Sequence, residues 1–153
     1  MNENYLNNFL GGRIASLSRA CDMVCIGFNL SNSNEIYIHI QSFFRILKDN
    51  MIIVSSQDMC RRGSNCKDNE EFNWDVPGQT RYDDSLNEHI GTLIGSVVVD
   101  VKQETNGDLV LFFNNDVVLQ IFIDTVEIEE KYRIFSDTDG IVVDSRGRCE
   151  SDR

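Results

Sequence analysis

One proline, one tryptophan and two histidines are all that 153 residues contain of these types. A single proline leaves the bends of the chain to Asn, Asp and Gly, the residues that take up turn conformations without its ring. Two histidines are few for a zinc site. The five cysteines include no Cys-x-x-Cys, since Cys21 and Cys25 lie four apart and Cys60 and Cys66 six apart. The ligand spacing of a structural zinc site is therefore missing. A histidine-activated nucleophile is disfavoured for the same reason, because His39 or His89 would have to meet it from a distant part of the chain.

Other absences narrow the class further. Gly11-Gly12 and Gly95 lack the Walker and dinucleotide patterns, so no phosphate-cradling loop is expected. The longest weakly polar run, residues 90–99, falls well short of the roughly 20 residues needed to cross a bilayer. The opening MNENYLNNFLGG has no basic region followed by an apolar run, so no signal peptide is expected. The expected location is the cytoplasm, with reduced thiols, no membrane partner and no cofactor.

Positive charge is also scarce. There are 14 Lys and Arg against 25 Asp and Glu, a net charge of −11, and the excess is unevenly placed. Residues 1–56 carry four acids and four bases, residues 57–94 eight and four, and residues 95–153 thirteen and six. A surface of this sign repels phosphate, which argues against nucleic acid as a ligand. It attracts basic proteins and speeds encounter with them. It also keeps a protein soluble, which is the plain alternative.

What the chain has in quantity is apolar surface. Hydrophobic residues make up 41%, with nine Phe, enough to offset the entropy of ordering the chain. In residues 107–135, GDLVLFFNNDVVLQIFIDTVEIEEKYRIF, the residues Leu109, Leu111 and Phe113 alternate with others; after Asn114-Asn115-Asp116, Val117, Leu119, Ile121 and Ile123 alternate again. A period of two broken by Asn and Asp predicts a β-hairpin with one buried face. The chain continues through Arg133-Ile134-Phe135 and a polar turn to Ile141-Val142-Val143 as a meander.

The first third repeats this order. MVCIGF (23–28) precedes a polar turn and then Ile36, Ile38 and Ile40; RILKDNMIIVSS (45–56) matches RIFSDTDGIVVDS (133–145); LGGRIASLSR (10–19) resembles IGSVVVDVKQ (94–103), with Gly11 opposite Gly95. We align Ile36, Ile38 and Ile40 with Leu119, Ile121 and Ile123, an even offset that keeps the same face inward. The expected fold is mainly β (α+β): two duplicated antiparallel β-meander units form one sandwich or barrel-like domain with one or two short helices. Residues 1–153 make a single domain of two related halves, about 10–56 and 94–145, joined by a polar connector, 57–82, and a short helix. One helix is expected from Leu6, Phe9 and Leu10 ahead of Gly11-Gly12. The other is expected from Leu86, Ile90 and Leu93 behind a cap at Asp83-Asp84-Ser85. Residues 146–153 read as a frayed tail.

The connector breaks the pattern and holds both the only Trp and the only Pro. A loop of this length in a compact domain is functional or disordered. Packed on the sheet, Trp74 pins the loop, which is the simpler reading; exposed beside Glu70, Glu71 and Asp75, it is an interface anchor. Cys60 and Cys66 lie near Arg61, Arg62 and Lys67, which favour thiolate, although plain loop thiols account for them as well. Glu127, Glu129 and Glu130, like Asp137 and Asp139, are close enough for acid/base chemistry, but a solvated acidic face has the same density.

The run GDLVLFFNNDVVLQIFID followed by EKYRIF is similar to a group of small bacterial proteins, some of which are immunity proteins of polymorphic toxin and contact-dependent growth inhibition systems. The resemblance extends over residues 11–135, leaves the connector outside, and carries no catalytic residues to transfer. It implies a non-enzymatic protein that binds a cognate toxin, expected to be a basic nuclease domain, and occludes it. The candidate partner-binding residues are Glu70, Glu71, Trp74 and Asp75 in the connector and Glu127, Glu129 and Glu130 in the second unit. Two other classes stand beside this one: a small ligand-binding barrel or enzyme with its site between the halves, and a homo-oligomer built on exposed strand edges.

Overall fold

The computed structural model describes residues 3–69 and 71–151. Among these residues eleven strands form two antiparallel sheets, with one long helix. The first unit contributes β1 (Arg13–Ala20), β2 (Met23–Asn29), β3 (Glu35–Ile40), β4 (Phe44–Lys48) and β5 (Met51–Ser55). The second contributes β6 (Val98–Gln103), β7 (Leu109–Phe113), β8 (Val117–Ile121), β9 (Glu130–Phe135) and β10 (Gly140–Asp144), followed by β11 (Cys149–Ser151).

The units do not sit side by side. One sheet has the order β1-β2-β3-β9-β10-β11 and the other β5-β4-β8-β7-β6, so the first three strands of each unit are completed by the last two of the other. The seams lie at β3 against β9, where His39 faces Arg133, and at β4 against β8, where Ile46 faces Leu119. The sheets are not closed into a barrel; the molecule is a sandwich.

The backbone records the repeat in its hydrogen bonds. Gly11 N donates to Val98 O at 2.9 Å and Gly95 N to Ile14 O at 2.8 Å; Val98 N donates to Gly12 O at 2.9 Å and Ile14 N to Ser96 O at 3.0 Å. Exchanging the two units exchanges these bonds, and the Arg13–Val97 bridge lies at their centre. Gly11 and Gly95 have φ of 79° and 83°, left-handed values that glycine adopts without strain. A bulge follows at the same place in both units, between Ile14 and Ser16 and between Val98 and Asp100.

Alternation built the core as expected. Ile36, Ile38 and Ile40 are buried, as are Leu109, Leu111, Phe113, Val117, Leu119 and Ile121. The structural counterparts of the three Ile are Val117, Leu119 and Ile121, because Phe28 pairs with Ile36 and Phe112 with Val118. The alignment in the sequence is thus two residues out, and the even error left the faces unchanged. Phe28 and Phe113, at matching positions in the two units, stack at 6.5 Å, and Phe9 meets Phe28 edge-on at 5.3 Å. Full burial raises the phenols of Tyr82 and Tyr132, since the anion would lie in an apolar interior. Tyr132 donates to Gly107 O at 2.8 Å and accepts from Gln103, whereas the Tyr82 hydroxyl has no partner among the described residues.

Three local expectations are corrected. The amino-terminal segment is a single turn, α1 (Glu3–Leu6), continued by a 3₁₀ turn, Asn7–Phe9; Leu6 and Phe9 are buried but Leu10 is 46% exposed. The second helix, α2 (Arg81–Leu93), is capped one turn earlier than expected, by Thr80, with Asp83 as the third helical residue of a capping box. Finally, residues 149–151 are no loose tail: they pair with β10. Asp144 makes this return by accepting from the backbone N–H of Arg146 and Arg148 and from the Arg148 guanidinium. No helix among the described residues is long and apolar enough to cross a membrane.

Candidate protein-docking site

The connector is ordered by one buried cation. Arg19, on β1, donates from Nε and Nη2 to the two carboxylate oxygens of Asp83 at 2.7 Å each. Its remaining hydrogens go to the carbonyls of Cys21, Trp74 and Val76. All five donors of the guanidinium are used. Asp83 also accepts from Gly78 N and from Thr80 N and Oγ1. Burial opposes ionisation of Asp83, but the bonds from Arg19 and Thr80 outweigh it and hold its carboxyl below the usual range. The polar connector is therefore tied across strand β1 and helix α2. An Arg62–Thr80 bridge and the contact of Arg62 over the Phe72 ring add to this.

Trp74, held by its carbonyl, lies outside the buried core. It is 42% exposed and lines a groove of about 410 Å³. The other walls are the β3–β4 corner (Gln41, Ser42, Phe43), the 3₁₀ turn Ser56–Cys60, Asp22 from the β1–β2 turn and Asp124 from the 122–129 loop. Ser42 is 8% exposed, and its hydroxyl is buried without a partner among the described residues. Asp22 has no cationic partner among the described residues. Phe43 stacks on Phe122 at 5.3 Å, and the Arg45 guanidinium lies over Phe122.

Asp124 joins the groove to the acidic loop of the second unit. Its carboxylate accepts from Phe43 N at 2.8 Å and pairs with Lys131 at 2.8 Å; Lys131, buried beneath the loop, also pairs with Glu129 at 2.6 Å. Burial raises the Asp124 carboxyl, but the bonds from Lys131 and Phe43 prevail and lower it. The hydrogen bond from Lys131 likewise lowers Glu129. Burial disfavours the Lys131 cation, and its two carboxylate partners overcome this and raise its pKa. Glu130 is engaged by Arg133 and accepts from Gln41 at 2.9 Å.

The sequence candidates separate accordingly. Trp74 and Asp75 stand beside the β1–β2 turn, where Asp75 raises the Cys21 thiol. Glu130 meets Gln41 at the groove margin. Glu129 shares Lys131 with Asp124, so the two carboxylates keep one net negative charge between them. Glu127 is exposed without a cationic partner among the described residues, and so is Glu71, which no contact ties to the groove. Glu70 lies outside the described residues.

Sequence reasoning passed over the loop's apolar tips. Val126 is 96% exposed and Ile128 58%. The run Val126-Glu127-Ile128-Glu129 alternates like a strand; what marks it as surface is that no β partner exists for it among the described residues. Asp22, Asp124, Lys131 and Arg19 were likewise not singled out. Only Lys131 left a trace, as a cation set between Glu130 and Tyr132 where an apolar residue would fit the burial.

The cysteines are all free, with Cys66 buried and receiving a hydrogen bond from Arg62 at 3.0 Å. No group of three or more His, Cys, Asp or Glu among the described residues could hold a metal ion.

The fold defines a two-sheet β-sandwich in which two units exchange their last strands. Compared with protein-family models, with curated proteins and with solved structures, the chain has no match.

Proposed function

We propose that this chain is a binding protein of the immunity type, acting in the cytoplasm by docking on a cognate toxin domain and occluding it. The observation that carries the reading is that large apolar side chains stand exposed at the groove and on the 122–129 loop, whose Asp124 lines it. Trp74 stands at the groove, and Val126 and Ile128 on the loop. Exposed aromatic and aliphatic anchors inside a polar rim are how protein interfaces concentrate their energy. Asp22 and Glu127, which have no cationic partner among the described residues, favour a basic partner, as does the net charge of −11. A nuclease must present such a surface to phosphate.

The test is to express the product of the gene immediately upstream, whose carboxy-terminal domain should arrest growth, with and without this chain. Growth should be restored and a stoichiometric complex recovered. Trp74→Ala should then raise Kd by about tenfold or more, and Glu127→Lys should slow association and flatten its salt dependence. Continued growth arrest with no complex, or a neighbouring gene set devoted to metabolism, would overturn the reading.

A further inference from the structure

Building on that docking face, we infer that the groove beside Trp74 seats one arginine side chain from an extended basic segment of the partner. The groove, about 410 Å³, is wide enough for a long side chain. Its wall offers an exposed indole, the strongest of the aromatic faces for a cation. Asp22 brings a carboxylate with no cation of its own, and Asp124 brings a second that is shared with Lys131.

These features are independent of one another and share one complement. A guanidinium stacks flat on an indole, supplies several in-plane donors for carboxylate oxygens, and is less strongly hydrated than an ammonium. The aliphatic stem of arginine covers Phe43 and Met59. Lysine fits the charge but leaves the stacking unmade. A neutral segment leaves Asp22 uncompensated, and nucleic acid brings phosphate against two carboxylates.

Trp74 is the only tryptophan, so its emission reads the groove directly. The intact chain, without any toxin, is titrated at low salt with a short arginine-rich peptide, a lysine-rich peptide of equal charge and a glutamate-rich control. The expected result is a saturable change in Trp74 emission with the arginine peptide and binding weaker by about tenfold in Asp22→Lys. The lysine peptide should bind less tightly, and the glutamate control should not bind. Asp22 lies in an exposed turn and has no cationic partner among the described residues, so the variant should unfold at the same temperature as the parent. Three results would each overturn the inference: no saturable change, equal affinity in Asp22→Lys, or a lysine peptide that binds as well as the arginine one. Because no toxin is present, such a failure leaves the protective function to be judged by growth rescue alone.

Discussion

Arg19 is the residue on which the candidate surface depends most, and it touches no partner. Its side chain is 4% exposed and that of Asp83 10% exposed, so each needs the other. Removing one member of a buried pair costs roughly 3 kcal/mol, because the charge left behind loses its compensation. Arg19→Ala should therefore lower Tm substantially, and Trp74 emission should shift toward that of a solvated indole even below the transition. An unchanged emission would mean that the connector has other anchors of equal strength. The pair also sets a pH dependence. The folded carboxyl of Asp83 titrates below its unfolded value, about 3.9. Its contribution is complete above that value and is lost as pH falls through the depressed one. Tm measured against pH should fall more steeply through this acid range in the parent than in Arg19→Ala. This residue was invisible in the sequence as a functional determinant, since one arginine in a strand differs in nothing from a solvated one until its partners across the chain are known.

At the scale of elements, the two units differ where their last strands end. The outer edge of β10 is covered by β11, and Ile141 there is packed against the core. Its counterpart β5 pairs with β4 on one side and has no strand on the other among the described residues, and Met51 and Ile52 are 68% and 56% exposed. An uncharged apolar edge is a template for pairing with another strand. Self-association should therefore set in as concentration rises, and Ile52→Lys should suppress it at nearly unchanged Tm, as followed by light scattering. Equal scattering from both proteins would show that the edge is protected in solution. Elements were legible in the sequence to the extent that one face of each is apolar. The strands were, and so was α2 through Leu86, Ile90 and Leu93. The cap at Thr80 was missed because Asp83 resembles a cap and is instead the reciprocal half of the capping box. The strand β11 was missed because three residues, one half-buried and two exposed, carry no period. The turn that returns them rests on side-chain bonds from Asp144.

For the whole molecule, the exchange of strands makes each half depend on the other. Cutting the chain after Cys66 should give two fragments that are disordered alone, because each would expose both a seam edge and the apolar face behind it. Mixing them should recover the β signal by circular dichroism and a single compact species by size exclusion. An ordered fragment 1–66 on its own would show that the seams at β3–β9 and β4–β8 are dispensable. The candidate site has the same dependence on the whole. The groove takes a wall from the β1–β2 turn, the β3–β4 corner, the connector and the 122–129 loop.

The amino-acid order by itself determined the mainly β class, the recurrence of one segment order in two units, and which face of β3, β7 and β8 turns inward. These follow from alternation between neighbours two residues apart, a property local to each stretch. Tertiary structure alone decided that the units interleave, that Lys131 is shared between Asp124 and Glu129, and that Trp74 stands open beside Asp22. Pairing across a seam joins residues far apart in the chain. The net charge presented by a carboxylate likewise depends on which cation the fold sets against it, and no local pattern encodes either.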